Sequence, residues 1–248
     1  MSTVYILWLR QLKRYFRSRA RLVGSLGQPI LFLVALGFGF GPIFQKAGGG
    51  NYLEFLAPGI ICMGVLFTAL FTGIEIIWDR QFGFLKETLV APVSRFNIMM
   101  GRTLGGATVA SFQGVMIFLL SLIFGFRPGS WLMVPVSLVV MFLIALLFTA
   151  LGTAIASFLE DMQGFQLIMN FLVMPIFFLS GALFPLQNLP EPLVIVASID
   201  PLSYGVDGLR ATLVGGSHFG LPMDLGILGV LALLFIAIGS YLFSKIQI

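Results

Sequence analysis

Six unbroken apolar runs constrain this chain more than anything else in it, because each is long enough to cross a bilayer. A helix needs about 20 apolar residues to span the hydrocarbon core. The runs lie at about 22–43, 56–78, 103–126, 131–159, 165–186 and 225–243. They are continuous rather than alternating, and backbone in lipid must satisfy its own hydrogen bonds, so helices are expected and not barrel strands. Only 10% of the 248 residues are charged and 58% are hydrophobic, whereas a soluble domain carries about 25% charged residues. The expected fold is an all-α integral membrane protein, one transmembrane domain over residues 1–248 with six spans.

The segments between the runs are expected to be structured. Over residues 1–21, Tyr5, Trp8, Leu9, Leu12, Tyr15 and Phe16 fall on one helical face, and Arg10, Lys13, Arg14, Arg17 and Arg21 fall on the other. That pattern predicts an interfacial amphipathic helix, with apolar groups in lipid and basic groups at anionic headgroups. A basic flank that only sets orientation is compatible with it. A cleaved signal peptide fits poorly, since the basic region is long and no small-x-small cleavage site follows the apolar run.

Residues 79–102, DRQFGFLKETLVAPVSRFNIMMGR, form a charged interruption. As a helix, Phe82, Leu85 and Leu89 share one stripe, with Arg80 and Glu87 on the far side. Pro92 should end that helix, and Ser94 should cap the next one. From spacing alone the stretch is either a solvated loop or a docking element for a partner protein. Residues 187–224 are punctuated by prolines. Asp200-Pro201 reads as an N-cap and first helical residue of a helix stopping at Gly215-Gly216. Asp207 and Arg210 are spaced to pair on its surface. Short helices dipping partway into the membrane are expected there.

Eleven of the 14 Lys and Arg residues fall on one side of the predicted topology; Lys46, Arg127 and Arg210 fall on the other. The positive-inside rule then places both termini and residues 79–102 in the cytoplasm of a multi-pass protein, and reads the net charge of +4 as topology rather than as nucleic-acid binding. A lone Cys62 and a lone His218 leave little for a disulfide, a metal site or a Ser/His/Asp relay. No G-x-x-x-x-G-K-[ST] occurs, so no ATP site of the P-loop kind is expected on this chain. No cofactor is expected on it either. Glu75 is the one carboxylate inside a run. It either pairs with a basic residue, such as Arg80 or one in the N-terminal helix, or joins a charge relay with Arg80. An ion-driven carrier needs carboxylates near the midplane, so their scarcity favours an external energy source. Thr68, Phe71 and Thr72 in the second run, with Asn170, Phe171 and Phe178 in the fifth, are candidates for lining an amphipathic substrate path; packing or lipid contact is the plainer explanation of each aromatic.

Three stretches, YLEFLAPGIICM at 52–63, GFLKETLVAPVSRFNIMMGR at 83–102, and FLSGALFPLQNLPEPL with DPLSYGVDGLR between 178 and 210, occur in this order. Together they resemble the type-2 ABC exporter permeases, a group that includes daunorubicin-type drug exporters and lipo-oligosaccharide or polysaccharide exporters. The resemblance implies a half-transporter in the plasma (bacterial inner) membrane that forms a homodimer and recruits two copies of a separate ATP-binding subunit carrying ATP and Mg. It implies a connecting helix at 1–21 and a cytoplasmic coupling helix at Phe82–Ala91, with Phe82, Leu85, Lys86, Glu87, Leu89 and Arg95 as ATPase contacts. It further implies an outer re-entrant segment whose gate residues are Asp200, Pro201, Tyr204, Asp207 and Arg210. A stand-alone secondary transporter or channel, and a membrane scaffold, are the competing readings; co-purification with an ATPase separates them.

Overall fold

The computed structural model describes residues 2–46, 51–90, 92–186 and 190–245; the side chains of Lys86 and Leu89 lie outside the described set, as does Ala91. The architecture is all-helical among those residues. Helix α1 (Thr3–Arg17) precedes α2 (Arg19–Lys46), α3 (Tyr52–Phe71), α4 (Ile74–Gln81), α5 (Phe84–Val90) and α6 (Arg95–Ile123). A 3-10 turn at Trp131–Met133 leads into α7 (Val134–Phe158), followed by α8 (Met162–Leu179), α9 (Glu191–Ile199), α10 (Pro201–Leu213) and α11 (Leu221–Ser244). Six units are long and apolar enough to cross a membrane, with α3 and α4 forming one of them. The six expected spans are therefore present.

Polar caps decide where several helices begin. Ser2, Asn51, Ser94, Asp161 and Asp200 each accept a bond from a backbone N–H in the first turn that follows, satisfying donors that a helix start leaves orphaned. The expected starts at Ser94 and at Asp200-Pro201 are both observed. Several bounds differ from expectation. The N-terminal helix stops at Arg17, because Ser18 leaves helical geometry, and α2 already includes Arg21. The fifth span ends at Leu179 rather than 186, and Gly181 has φ +74 just beyond. It runs unbroken through Pro175.

The core is built around α3. Of the α3–α4 apolar window 72% is buried, against 11% for α2 and 22% each for α8 and α11, so α3 is the central post and the others face outward. It packs against α2, α6, α7 and α10, while α11 packs on α7 and α10, and α1 lies along α6. The second span is not one straight helix as expected. It breaks at Thr72-Gly73, where the backbone meets α7: a Cβ on Gly73 would overlap the Gly152 carbonyl, and one on Gly152 would overlap the Leu70 carbonyl. Only glycine at both positions lets the two backbones approach so closely.

Candidate functional site

The basic end of the bundle is where the chain concentrates charge. Glu75 and Asp79 are four residues apart on α4, so both carboxylates lie on one face. Arg10 and Arg14 have the same spacing on α1. The two faces meet. Arg10 donates two bonds to Asp79, Nη2 to Oδ1 at 3.0 Å and Nη1 to Oδ2 at 3.1 Å. Arg102, from α6, donates to the same Oδ2 and is only 2% exposed. Glu75 takes Arg21 at 3.1 Å and Arg14 at 3.6 Å. Four helices, α1, α2, α4 and α6, are thus tied by two buried acids. Such pairs are costly to desolvate, but once formed they are costly to break from one side.

This corrects one expectation and decides between two others. Arg10 and Arg14 turn inward to carboxylates rather than outward to headgroups; Lys13, Arg17 and Arg19 are the exposed cations of this segment. Of the two partners expected for Glu75, Arg80 or a basic residue of the N-terminal segment, the structure shows the second, Arg14 and Arg21. The Arg80 guanidinium instead donates to the carbonyls of Leu159 (3.1 Å) and Ser157 (3.2 Å) at the end of α7, where a cation meets unsatisfied carbonyls and the negative end of the helix dipole. The sequence points to Glu75, but it assigns Arg10 to headgroups and gives Asp79 and Arg102 no partner. The signal was the matching i,i+4 spacing of two bases and two acids.

Helix α5 hangs from this lattice. The expected helix Phe82–Ala91 starts later, at Phe84, because Gly83 takes φ +79 and turns the chain after α4; it is described to Val90, and Ala91 lies outside the described residues. Phe82 therefore leaves the predicted stripe and stands 80% exposed in the turn, while Leu85 is buried at 2%. The Arg10 guanidinium sits 3.8 Å from the centre of the Phe84 ring, so one side chain of α1 grips both α4 and α5. Glu87 and Val90 point to solvent. Arg95 donates to the Ser244 carbonyl, joining the start of α6 to the end of α11.

Beside the lattice lies a cavity of about 360 Å³ between α1, α2, α3, α4 and α6. Gln11, Tyr15, Arg21, Ser25, Gln28, Thr68, Thr72 and Glu75 give it polar walls; Pro29, Met63, Phe67, Phe71 and Val109 give it apolar ones. Behind it, Tyr15 and Ser25 hydroxyls donate to Gln113 Oε1 at 2.7 and 3.0 Å. Burial pushes the Tyr15 phenol above its ordinary pKa, so it stays a donor. Of the candidate path residues, the structure brings together Thr68, Phe71 and Thr72 here. Asn170, Phe171 and Phe178 are elsewhere, exposed along α8, with Phe171 83% exposed. Phe71 does touch α8, edge-on to Phe165 at 6.4 Å.

At the opposite end, α10 carries all five expected gate residues. Asp200 caps α10 through Leu202 N–H at 2.9 Å, and Pro201 is its first residue. The Tyr204 hydroxyl donates to the Ser198 carbonyl at 2.7 Å. The expected Asp207–Arg210 pair is absent among the described residues. Asp207 instead accepts from the Ser217 hydroxyl and from the His218 and Phe219 N–H groups at 2.8–2.9 Å. Arg210 turns the other way, donating to the Gly181 carbonyl at 3.1 Å and lying 4.2 Å over the Phe55 ring. Burial pushes Asp200 up to about 7. Among the described residues no His, Cys, Asp and Glu group is arranged to hold a metal ion.

Residues 2–214 match a family model described as ABC-2 type transporter. The chain is 27% identical to Nodulation protein J of Rhizobium leguminosarum bv. viciae, over 90% of this chain and 84% of that one. It is 27% identical to the inner membrane transport permease YadH of Escherichia coli K12, over 92% and 90%. It is 32% identical to ycf38 of Pyropia yezoensis, a protein named as a transport permease, over 85% and 73%.

Proposed function

The chain belongs to the ABC-2 type transporter family, and from that premise we propose that it is the membrane subunit of an ATP-driven exporter, working as a homodimer with two copies of a separate ATPase. In this reading the basic end is cytoplasmic, and the chain sits in the plasma (bacterial inner) membrane. ATP binding draws the ATPases together, and the two copies of this chain switch from inward- to outward-open. Cargo is an amphipathic drug, a lipid-linked molecule or a polysaccharide. ATP and Mg are held by the partner.

The observation that carries this reading is the build of α5. Its inner side is anchored by buried Leu85 and by Arg10 over Phe84, while Glu87, Val90 and the neighbouring Phe82 are exposed at the basic end. A helix held firmly from behind and bare in front suits a lever that receives force from another protein. Lys86, Leu89 and Arg95 are proposed to share that contact. Glu75 and Arg80 are proposed to pass the motion on, Glu75 to α1 and α2, and Arg80 to α7. Thr68, Phe71 and Thr72 line the inner part of the path, and Asn170, Phe171 and Phe178 on α8 face the second copy. Asp200, Pro201, Tyr204, Asp207 and Arg210 close the outer end.

The test is co-purification of this chain with a co-expressed ABC-type ATPase subunit, followed by ATP hydrolysis in proteoliposomes. Glu87→Arg should lower stimulated hydrolysis by about tenfold, as loss of a charge pair across an interface does, with the spans still folded. A stable preparation that accepts no ATPase overturns the reading.

A further inference from the structure

The cavity beside the charged lattice, whose Thr68, Phe71 and Thr72 the exporter reading counts as path, is also walled by α2, a side which that reading does not use. Toward the basic end it is lined by Arg21, Thr72 and Glu75, and deeper by Gln28, Pro29, Met63 and Phe67. From Arg21 to Pro29 along α2 is about 12 Å of helix rise, so the cavity runs inward from the membrane surface. Its outer wall is thin. Helix α2 buries only Pro29, Leu33 and Gly37, and a Cβ placed on Gly24, which lines the cavity, meets nothing within 4 Å. The cavity therefore borders the space where lipid lies.

Charge selects what enters. Arg14 and Arg21 together outnumber Glu75, which they neutralise. Lys13, Arg17 and Arg19 stand exposed on the adjoining surface. The charged lining is the Arg21–Glu75 pair, and these three exposed cations give the adjoining surface its positive excess. An anionic head is drawn to such a mouth, and an apolar chain to the wall of Pro29, Met63 and Phe67 between α2 and α3. The volume of about 360 Å³ is near the small end of the roughly 300–1,000 Å³ range of ligand cavities, which fits one chain and leaves a second along the exposed face of α2.

We infer that this cavity holds one resident phospholipid with an anionic head, drawn from the leaflet at the basic end, its head against Arg21 and one acyl chain between α2 and α3. The lipid completes the packing of α2, the most weakly buried span. It is a structural and regulatory ligand, not cargo, and its binding needs neither ATP nor the ATPase. Failure of the exporter reading would leave it standing.

The experiment is native mass spectrometry of the full chain in mild detergent, with phosphatidylglycerol or phosphatidylcholine of identical acyl chains added. One phosphatidylglycerol per chain should be retained in preference to phosphatidylcholine. Arg21→Gln should narrow that preference about fivefold, the effect of one cation near an anionic head. Gly24→Leu, whose side chain enters open space and favours helix, should lower retention about tenfold, as displacing two buried methylenes does. Equal retention of phosphatidylglycerol by Gly24→Leu and the parent chain would mean surface lipid only and overturn the site. So would equal binding of phosphatidylcholine, or displacement by inorganic phosphate alone. ATP-dependent release in the presence of the ATPase would make the lipid cargo and overturn its resident role.

Discussion

The two ends of the bundle handle buried charge in different ways. At the basic end, Glu75 and Asp79 are satisfied by arginines from other helices, so each ion pair joins elements far apart in sequence. At the other end, Asp207 is satisfied by groups ten to twelve residues on, in the α10–α11 turn, and Asp200 caps its own helix. The first arrangement transmits displacement: if α5 moves, Arg10 pulls α1 and Asp79 together. At the second end the carboxylates close local structure, and only Arg210 reaches farther, to Gly181 and Phe55. A lever and a plug require these opposite designs, and the chain places each at the end where its proposed role lies.

Breaking the contrast at its strongest point means removing Asp79. Asp79→Ala strands Arg102, which is 2% exposed, and should cost about 3–5 kcal/mol, the effect of leaving one partner of a buried pair uncompensated. Thermal unfolding in detergent measures the loss, and hydrogen exchange should show α1 opening as a unit. A smaller effect is expected from Asp207→Asn, about 1.5–3 kcal/mol for lost charge-assisted bonds. Exchange should rise over residues 215–220 and remain unchanged in α1. If α1 opened as well, the two ends would not be independent.

A separate effect is a pH dependence that belongs to the plug. A carboxyl held at about 7 by burial, as Asp200 is, binds its proton more tightly folded than unfolded, where the ordinary value is about 3.9. Its contribution is full at low pH and is lost as pH rises from about 4 through about 7. The parent chain should therefore lose melting temperature over that window relative to Asp200→Asn, which keeps a capping side chain. Parallel profiles for the two would remove Asp200 as the cause.

Much of this was legible in the residues. Run length gave the spans, and Ser94 and Asp200-Pro201 gave two helix starts, because caps and apolar length are local physics. The break inside the second span was not legible. It depends on Gly152 of α7 meeting Gly73 and Leu70 across the bundle, a contact no local window contains. The turn at Gly83 has a local signal, a glycine between two short helical stretches, but the amphipathic spacing of Phe82, Leu85 and Leu89 runs through it and hides it. Arg10, Arg14, Glu75 and Asp79 were each visible as charges, but only a three-dimensional pairing of α1 with α4 shows that they meet. Asp207 and Arg210 had ideal spacing and yet turn apart, because backbone N–H groups and the Gly181 carbonyl offer each a buried partner.

The central claim is that α5 is the surface on which a separate ATPase acts. Cys62, the only cysteine of the chain, is buried, so a cysteine placed at Glu87 can be cross-linked selectively. In the assembled complex, Glu87→Cys should cross-link to the ATPase subunit with a short bifunctional reagent, and Ser217→Cys at the opposite end should not. An intact complex in which position 87 gives no cross-link while position 217 does would contradict the account.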